Sequence, residues 1–197
     1  MILDKTSPKG SRIKTIHKRD LSKIRFSSHS DFSGLHQCYA EAFKAIHNTR
    51  FFRLPPPCAQ ESVHLKVLFD PNDHTQFSIA DQYDLLLAYQ VHGSLKITLD
   101  VHTYPEDAKL QQQFQYAAQI EFFTFLQSHS FNINKLNPAK LLSLINQHIH
   151  PKILLNFNKK HTSKVRKKLS LEGLAKLLNS THAKLNNRNR KISGYRE

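Results

Sequence analysis

Apolar positions mark out a series of short elements along this chain. Leu35, Tyr39, Ala42, Phe43 and Ile46 recur at helical spacing, and predict a helix over 32–48 with Asp31 as its N-cap. Phe51-Phe52-Arg53-Leu54 and then Pro55-Pro56-Pro57 follow, and the prolines read as a stiff loop that no helix can cross. Val63-His64-Leu65-Lys66-Val67 alternates as a half-buried strand does, Asp70-Pro71-Asn72-Asp73 is turn chemistry, and Gln76–Ile79 reads as another short strand. In the first thirty residues, Ile13 with Ile16 and Ile24 with Phe26 suit short strands within a basic arm that orders on binding.

Tyr83–Val101 predicts a hairpin, with Gly93-Ser94 as a two-residue type II′ turn. In that register Leu86 and Ala88 share a face with Ile97, Leu99 and Val101, whereas Leu85, Leu87, Tyr89 and Val91 make the first strand apolar on both faces. Thr103 and Glu106 form a T-x-x-E capping box around Pro105, so a long helix is expected there. Beyond Phe114 it is apolar almost all round, through Ala117, Ala118, Ile120, Phe122, Phe123, Phe125 and Leu126, which predicts deep burial of its second half. Asn137-Pro138 opens a further helix with Leu141, Leu142, Leu144, Ile145 and Ile149 as its core face and Pro151 as its stop. Ile153-Leu154-Leu155-Asn156-Phe157 reads as a last strand. Together these elements predict an α+β fold: an antiparallel sheet with packed helices, and basic N- and C-terminal extensions. The divisions fall at a basic arm over 1–30, a core domain over 31–158 and a basic helical segment over 159–197.

Charge sharpens this picture. The net charge of +14 comes from 29 basic and 15 acidic residues. Residues 159–197 hold twelve basic and two acidic residues, and residues 1–25 hold eight and two, so the middle of the chain is close to neutral. Positive charge concentrated this way repels itself, and a polyanion with its condensed counterions relieves the repulsion. The expected partner is therefore nucleic acid. Lys159, Lys160, Lys164, Arg166, Lys167 and Lys168 are the candidate phosphate contacts. Neither end carries the large apolar face of an interfacial helix, and no apolar run approaches the roughly 20 residues that span a bilayer, so no membrane partner is expected. The polar, basic start and the two cysteines, Cys38 and Cys58, with no CxxC pair, suit a cytoplasmic protein with reduced thiols. Oligomeric state is left open.

One segment reads as more than charge. In LSLEGLAKLLNSTHAKL, from Leu169 to Leu185, a helix capped by Ser170 puts Leu171, Leu174, Ala175 and Leu178 on one face. Ala175 lets a second helix cross closely, Asn179 suits a left-handed turn, and Leu185 returns an apolar contact. This spacing resembles the helix-turn-helix of bacterial transcription regulators, the arabinose-regulator family among them, over about the last 25–30 residues. The resemblance implies a second helix starting near Thr181 that presents Thr181, His182, Lys184, Asn187 and Arg188 to a DNA major groove. Arg190, Lys191 and Arg196 would touch the backbone. Three departures stand out: Gly173 inside the first helix, Arg188 or Asn189 where the second helix would carry an apolar residue, and no third helix to complete the small hydrophobic unit, which would then have to pack against the central domain.

Catalytic and metal chemistry is weakly signalled. The thirteen histidines are scattered, no HExxH occurs, and the i, i+2 spacing of His148 and His150 turns two rings apart on a helix. A metal-dependent nuclease needs clustered carboxylates and usually a lysine. Asp84 and Asp100 are not opposite each other in the expected hairpin, and Asp107 reads as a helix-capping carboxylate. No catalytic residue, metal ligand or cofactor is therefore assigned. The expected function is nucleic-acid binding, with DNA favoured over RNA and a regulatory or mobile-element role. An RNA-binding assembly component is the alternative, and a nuclease the third reading.

Overall fold

The structure is a computed structural model, and it describes residues 11–17, 25–46, 63–69, 76–79, 96–102, 104–162 and 164–194. Five strands are described: β1 (Ser11–His17), β2 (Arg25–Ser28), β3 (Val63–Phe69), β4 (Gln76–Ile79) and β5 (Lys96–His102). Among the described residues there are six α-helices: α1 (Ser33–Phe43), α2 (Ala108–Ser128), α3 (Pro138–His148), α4 (Pro151–His161), α5 (Leu171–Leu177) and α6 (His182–Ile192). The described chain is thus mostly helical. It divides into two compact units, Met1–Ser33 with Phe52–Ala118, and Gly34–Phe51 with Gln119–Glu197, and the division falls inside α2.

The first unit holds one sheet with strand order β1-β5-β3-β4-β2. Its centre is the parallel pair β3–β5, with Val67 opposite Val101 and Lys66 opposite Asp100. β1 joins β5 antiparallel, β4 joins β3 antiparallel, and β2 closes the far edge parallel to β4. The expected α+β fold with an antiparallel sheet is therefore corrected: the sheet is mixed, and the second unit is built from helices. The cause is non-local pairing. β5 has β1 on one edge and β3 on the other along its length, so both edges open to a hairpin partner are occupied. The expected partner strand, 83–91, and its Gly93-Ser94 turn lie outside the described residues, as does the proline loop at 55–57. Val67 and Leu68 are both buried, as are Thr98 and Leu99, so β3 and β5 are covered on each face rather than half-buried.

Between β2 and α1, a short 3-10 turn (Ser30–Phe32) is capped by His29, whose Nδ1 accepts the Asp31 amide at 3.3 Å. The Asp31 carboxylate instead accepts from Tyr104 Oη and, at 3.2 Å, from Gln115 Nε2. Phe32 packs edge-on to Phe114 and Tyr104. The long helix starts at Ala108, later than the expected capping box. Asp107 caps it, with Oδ1 accepting the Leu110 amide at 2.9 Å; Thr103 lies outside the described residues.

The second unit is helical. Its part of α2 buries Phe122, Phe125 and Leu126, but Ile120 is 55% exposed, so burial does not extend all round. Tyr39 of α1 sits 4.7 Å from Phe122 and 5.0 Å from Phe125, ring to ring. α1 ends at Phe43, and Ile46 forms an isolated bridge with Phe131. Gly34 is required where it stands, because a Cβ there would lie 2.1 Å from His148 Nδ1. The buried Glu41 carboxylate receives both Lys44 and Lys140 at 3.1 Å, tying α1 to α3. Burial pushes that carboxyl up, and the hydrogen bonds and charges of the two lysines outweigh it, so its pKa falls below the ordinary value. Cys38 is fully buried, and burial pushes its thiol up to about 12.

Asn137 Oδ1 caps α3 on the Lys140 amide, with Pro138 in the first turn. Residues 153–157, expected as a strand, are instead the middle of α4. The preceding helix ends at His148, ahead of Pro151 as expected, but Pro151 also opens this one, and His150 Nδ1 caps it on the Lys152 amide at 3.1 Å. Ile153, Leu154, Phe157 and Asn158 are its buried face. α4 runs through the composition shift near residue 158 without a break.

Candidate nucleic-acid interface

The candidate contact residues of the C-terminal segment sit on three structural supports, all in the helical unit. Lys159 and Lys160 are exposed on the last turn of α4, where cations are favoured by the helix dipole. Lys164, Arg166, Lys167 and Lys168 are exposed on the loop from α4 to α5. Thr181, His182, Lys184, Asn187, Arg190 and Lys191 are exposed at the start and on the outer face of α6.

Two side-chain amides, one buried and one half-buried, fasten the loop. Asn158 of α4 is 1% exposed, and its Nδ2 donates to the carbonyls of Arg166 at 2.8 Å and Lys168 at 2.9 Å. Asn146 of α3 grips the Leu169 backbone from both sides: Nδ2 donates to the carbonyl at 3.0 Å, and Oδ1 accepts the amide at 2.7 Å. Thr162 Oγ1 lies 2.9 Å from the Lys164 carbonyl and 3.0 Å from that of Asn158. Leu169, itself buried, plugs the loop into the core. The loop is thus a strapped segment whose carbonyls at 164, 166 and 168 are spoken for, while its cationic side chains point to solvent. Sequence reading missed Asn146, Asn158 and Thr162. The available signal was an amide at apolar-face spacing: Asn158 stands four residues after Leu154, and Asn146 four after Leu142.

The two last helices form a tight pair. Ser170 Oγ caps α5 on the Gly173 amide at 3.1 Å. α5 closes with Asn179 at φ 48°, the Ser180 amide donating to the Ala175 carbonyl at 2.8 Å and the Asn179 amide to that of Lys176 at 3.3 Å. These are the two bonds of a Schellman motif. Asn179 Nδ2 also reaches the Gln127 carbonyl at 2.8 Å. Thr181 Oγ1 then caps α6 on the Lys184 amide at 3.3 Å, and Leu185 is completely buried against the preceding helices. α5 and α6 pack on each other and on α3.

Two of the departures from the expected pattern, Gly173 and the 188–189 position, have causes in the packing. A Cβ at Gly173 would lie 2.6 Å from Leu169 Cδ1 and 3.4 Å from Asn158 Oδ1, so the space a side chain would take is filled by the strap. Arg188 and Asn189 are polar because α6 is bonded to its neighbours at those positions. Arg188 Nε donates to the Leu136 carbonyl at 3.0 Å, and Asn189 Oδ1 accepts the Ala139 amide at 3.1 Å, capping the start of α3. Arg188, expected to reach toward a groove, is thus half-buried and turned toward the body of the unit. The outward face of α6 is Ala183, Lys184, Asn187, Arg190 and Lys191.

In the other unit, Asp100 and His102 share one face of β5, with Asp100 Oδ2 2.9 Å from His102 Nε2. Asp100 Oδ1 is buried without a hydrogen-bond partner, and Lys66 is the register partner of Asp100 on β3. Nearby, burial and the bond to Asp31 push the Tyr104 hydroxyl pKa up. Asp84 lies outside the described residues. Among the described residues, no three or more His, Cys, Asp or Glu side chains gather as a metal site would require, and no helix is long and apolar enough to cross a membrane.

Compared with protein-family models, with curated proteins and with solved structures, the chain matches none.

Proposed function

We propose that this chain is a cytoplasmic nucleic-acid-binding protein that engages duplex DNA through its C-terminal helices, in a regulatory or mobile-element role. The observation that carries the reading is the strapped loop, which holds Lys164, Arg166, Lys167 and Lys168 exposed beside Lys159 and Lys160. Six cations in one short stretch meet a phosphate backbone through counterion release. The outward face of α6 supports the same reading. Asn187 at its centre offers the bidentate amide that suits an adenine edge, and Lys184, Arg190 and Lys191 flank it for phosphates.

The test is binding of the full chain to duplex DNA, single-stranded DNA and structured RNA over a salt series. The variant for comparison carries glutamine at 164, 166, 167 and 168. Duplex should bind tightest, and the variant's log–log salt slope should be shallower by roughly 3–4. Tighter binding to structured RNA would favour the RNA-assembly reading, and weak binding to all three would end the proposal.

One observation favours a second reading. The Asp100–His102 pair, the unpartnered Asp100 Oδ1 and the register position of Lys66 bring a carboxylate, an imidazole and a lysine position to one region of a central strand. One carboxylate and one imidazole are fewer than a metal site needs, so this region would serve a metal-dependent phosphodiesterase only with a further carboxylate, for which the sequence offers Asp84. Cleavage of DNA with magnesium or manganese, lost in Asp100→Asn and in Asp84→Asn, would establish it; no turnover with either metal would remove it.

A further inference from the structure

Nothing in the loop's own sequence, Lys164-Val165-Arg166-Lys167-Lys168, would hold it in one shape. A run of four cations in five residues repels itself and, left to itself, samples many conformations. Its shape comes from outside: two carbonyls are gripped by one buried Asn158 amide, a third by Thr162, and the Leu169 end is clamped by Asn146. This arrangement is costly. Asn158 occupies a position on the apolar face of α4 beside Ile153, Leu154 and Phe157, and its Oδ1 is buried with no hydrogen-bond partner. A leucine there would suit the core better, and Gly173 is confined to a residue without a side chain to make room for the same strap. A loop that served only as a solubilising charge would need none of this.

We propose that Asn158, with Asn146 and Thr162, is a positioning residue: it spaces the loop's cations in advance for the fixed phosphate spacing of a duplex. The proposal rests on the nucleic-acid reading above and names its ligand class. A pre-ordered array avoids the entropy of ordering the loop on binding, so it favours a stiff ligand whose phosphates are already in place. A flexible single strand adapts its own phosphates to any cation arrangement and gains far less from the strap. The salt slope counts the cations that meet phosphate, and those are the same with or without the strap.

The experiment measures Asn158→Ala and Thr162→Val in the full chain against a short duplex and a thymine homopolymer strand of equal charge, across a salt series. Circular dichroism checks each variant for folding, and amide hydrogen exchange follows Arg166–Leu169. The expected result for Asn158→Ala is faster exchange in the loop, about tenfold weaker duplex binding, single-strand binding within about threefold of the parent, and an unchanged slope. Thr162→Val should show the same pattern in smaller degree, and it decides the matter if Asn158→Ala does not fold. Equal losses on duplex and single strand, or a folded variant that binds duplex as the parent does, would overturn the positioning role and leave the nucleic-acid reading standing. A parent chain that binds neither ligand would overturn both.

Discussion

Replacing Gly173 with alanine sets two opposed effects against each other. Glycine inside a helix is worth about 1 kcal/mol less than alanine, so on propensity alone Gly173→Ala should stabilise α5. The packing argues the reverse. The new methyl would lie 2.6 Å from Leu169 Cδ1, and Leu169 is 3% exposed with its backbone clamped at both polar atoms by Asn146. A side chain so held cannot swing aside without moving the strap, and an extra methyl forced into a packed core costs about 1–3 kcal/mol. The expected balance is a net loss of about 1 kcal/mol, or a melting temperature lower by about 2–4 °C for a chain of this size. The assay is thermal and urea unfolding of four proteins: the parent, Gly173→Ala, Leu169→Ala and the double variant. Leu169→Ala alone should cost about 2–5 kcal/mol. In its background the obstructing atom is gone, so Gly173→Ala should there stabilise by about 1 kcal/mol. The substitution must change sign between the two backgrounds. If it raises the stability of the parent, or acts with the same sign in both, Leu169 does not fill the space above Gly173 and the account of the strap fails with it.

Other perturbations bear on the same unit. Arg188→Ala should lower stability by about 1 kcal/mol through loss of the bond to the Leu136 carbonyl, whereas Asn187→Ala should leave unfolding unchanged and weaken sequence preference on duplex DNA; urea melts and competition binding separate the two. Asn179→Ala should cost about 1 kcal/mol, since alanine resists the φ of 48° and drops the bond to Gln127, and Asn179→Gly should recover most of the backbone part in the same unfolding assay. Cys38, with its thiol pushed up to about 12, should resist alkylation at pH 8 in the folded chain and react once urea unfolds it, as peptide mass mapping will read. Glu41 has a folded pKa below its unfolded value, so its contribution is present above the ordinary carboxylate range of about 4.3 and is lost as pH falls through the lower folded value. The urea midpoint should therefore fall on acidification below that range, and Glu41→Gln should flatten the dependence.

What was legible in the sequence was what neighbouring residues decide among themselves. Asn137-Pro138 marks the start of α3, Ser170 that of α5 and Thr181 that of α6, because each cap bonds an amide two or three residues along. Asn179 marks its turn for the same reason: left-handed backbone is a property of one residue. The sheet was not legible, since β1 pairs with β5 across some eighty intervening residues and no local pattern selects that partner over a hairpin. The misread strand at 153–157 shows a third situation. Five apolar-rich residues fit either state by periodicity, and the deciding signal lay just upstream, where Pro151 at the first helical position follows the His150 cap. A proline read as the end of one helix is also the beginning of the next.

The candidate site divides along the same line. That the C-terminal segment is cationic follows from composition, and the exposure of Lys164, Arg166, Lys167 and Lys168 follows from their charge. Their arrangement does not. It is imposed by Asn146 and Asn158, amides that stand 23 residues before Leu169 and 8 residues before Arg166. Arg188 makes the converse point. Its residue type fits groove recognition as well as any in the chain, yet its Nε serves the Leu136 carbonyl, 52 residues earlier. On a surface this basic, charge alone cannot distinguish residues that meet a ligand from residues that hold the surface in place. Hydrogen-bond geometry separates Arg188 and Asn189, which are bonded inward, from Lys184, Asn187, Arg190 and Lys191, which are exposed on the outward face of α6 and are the candidates for contact.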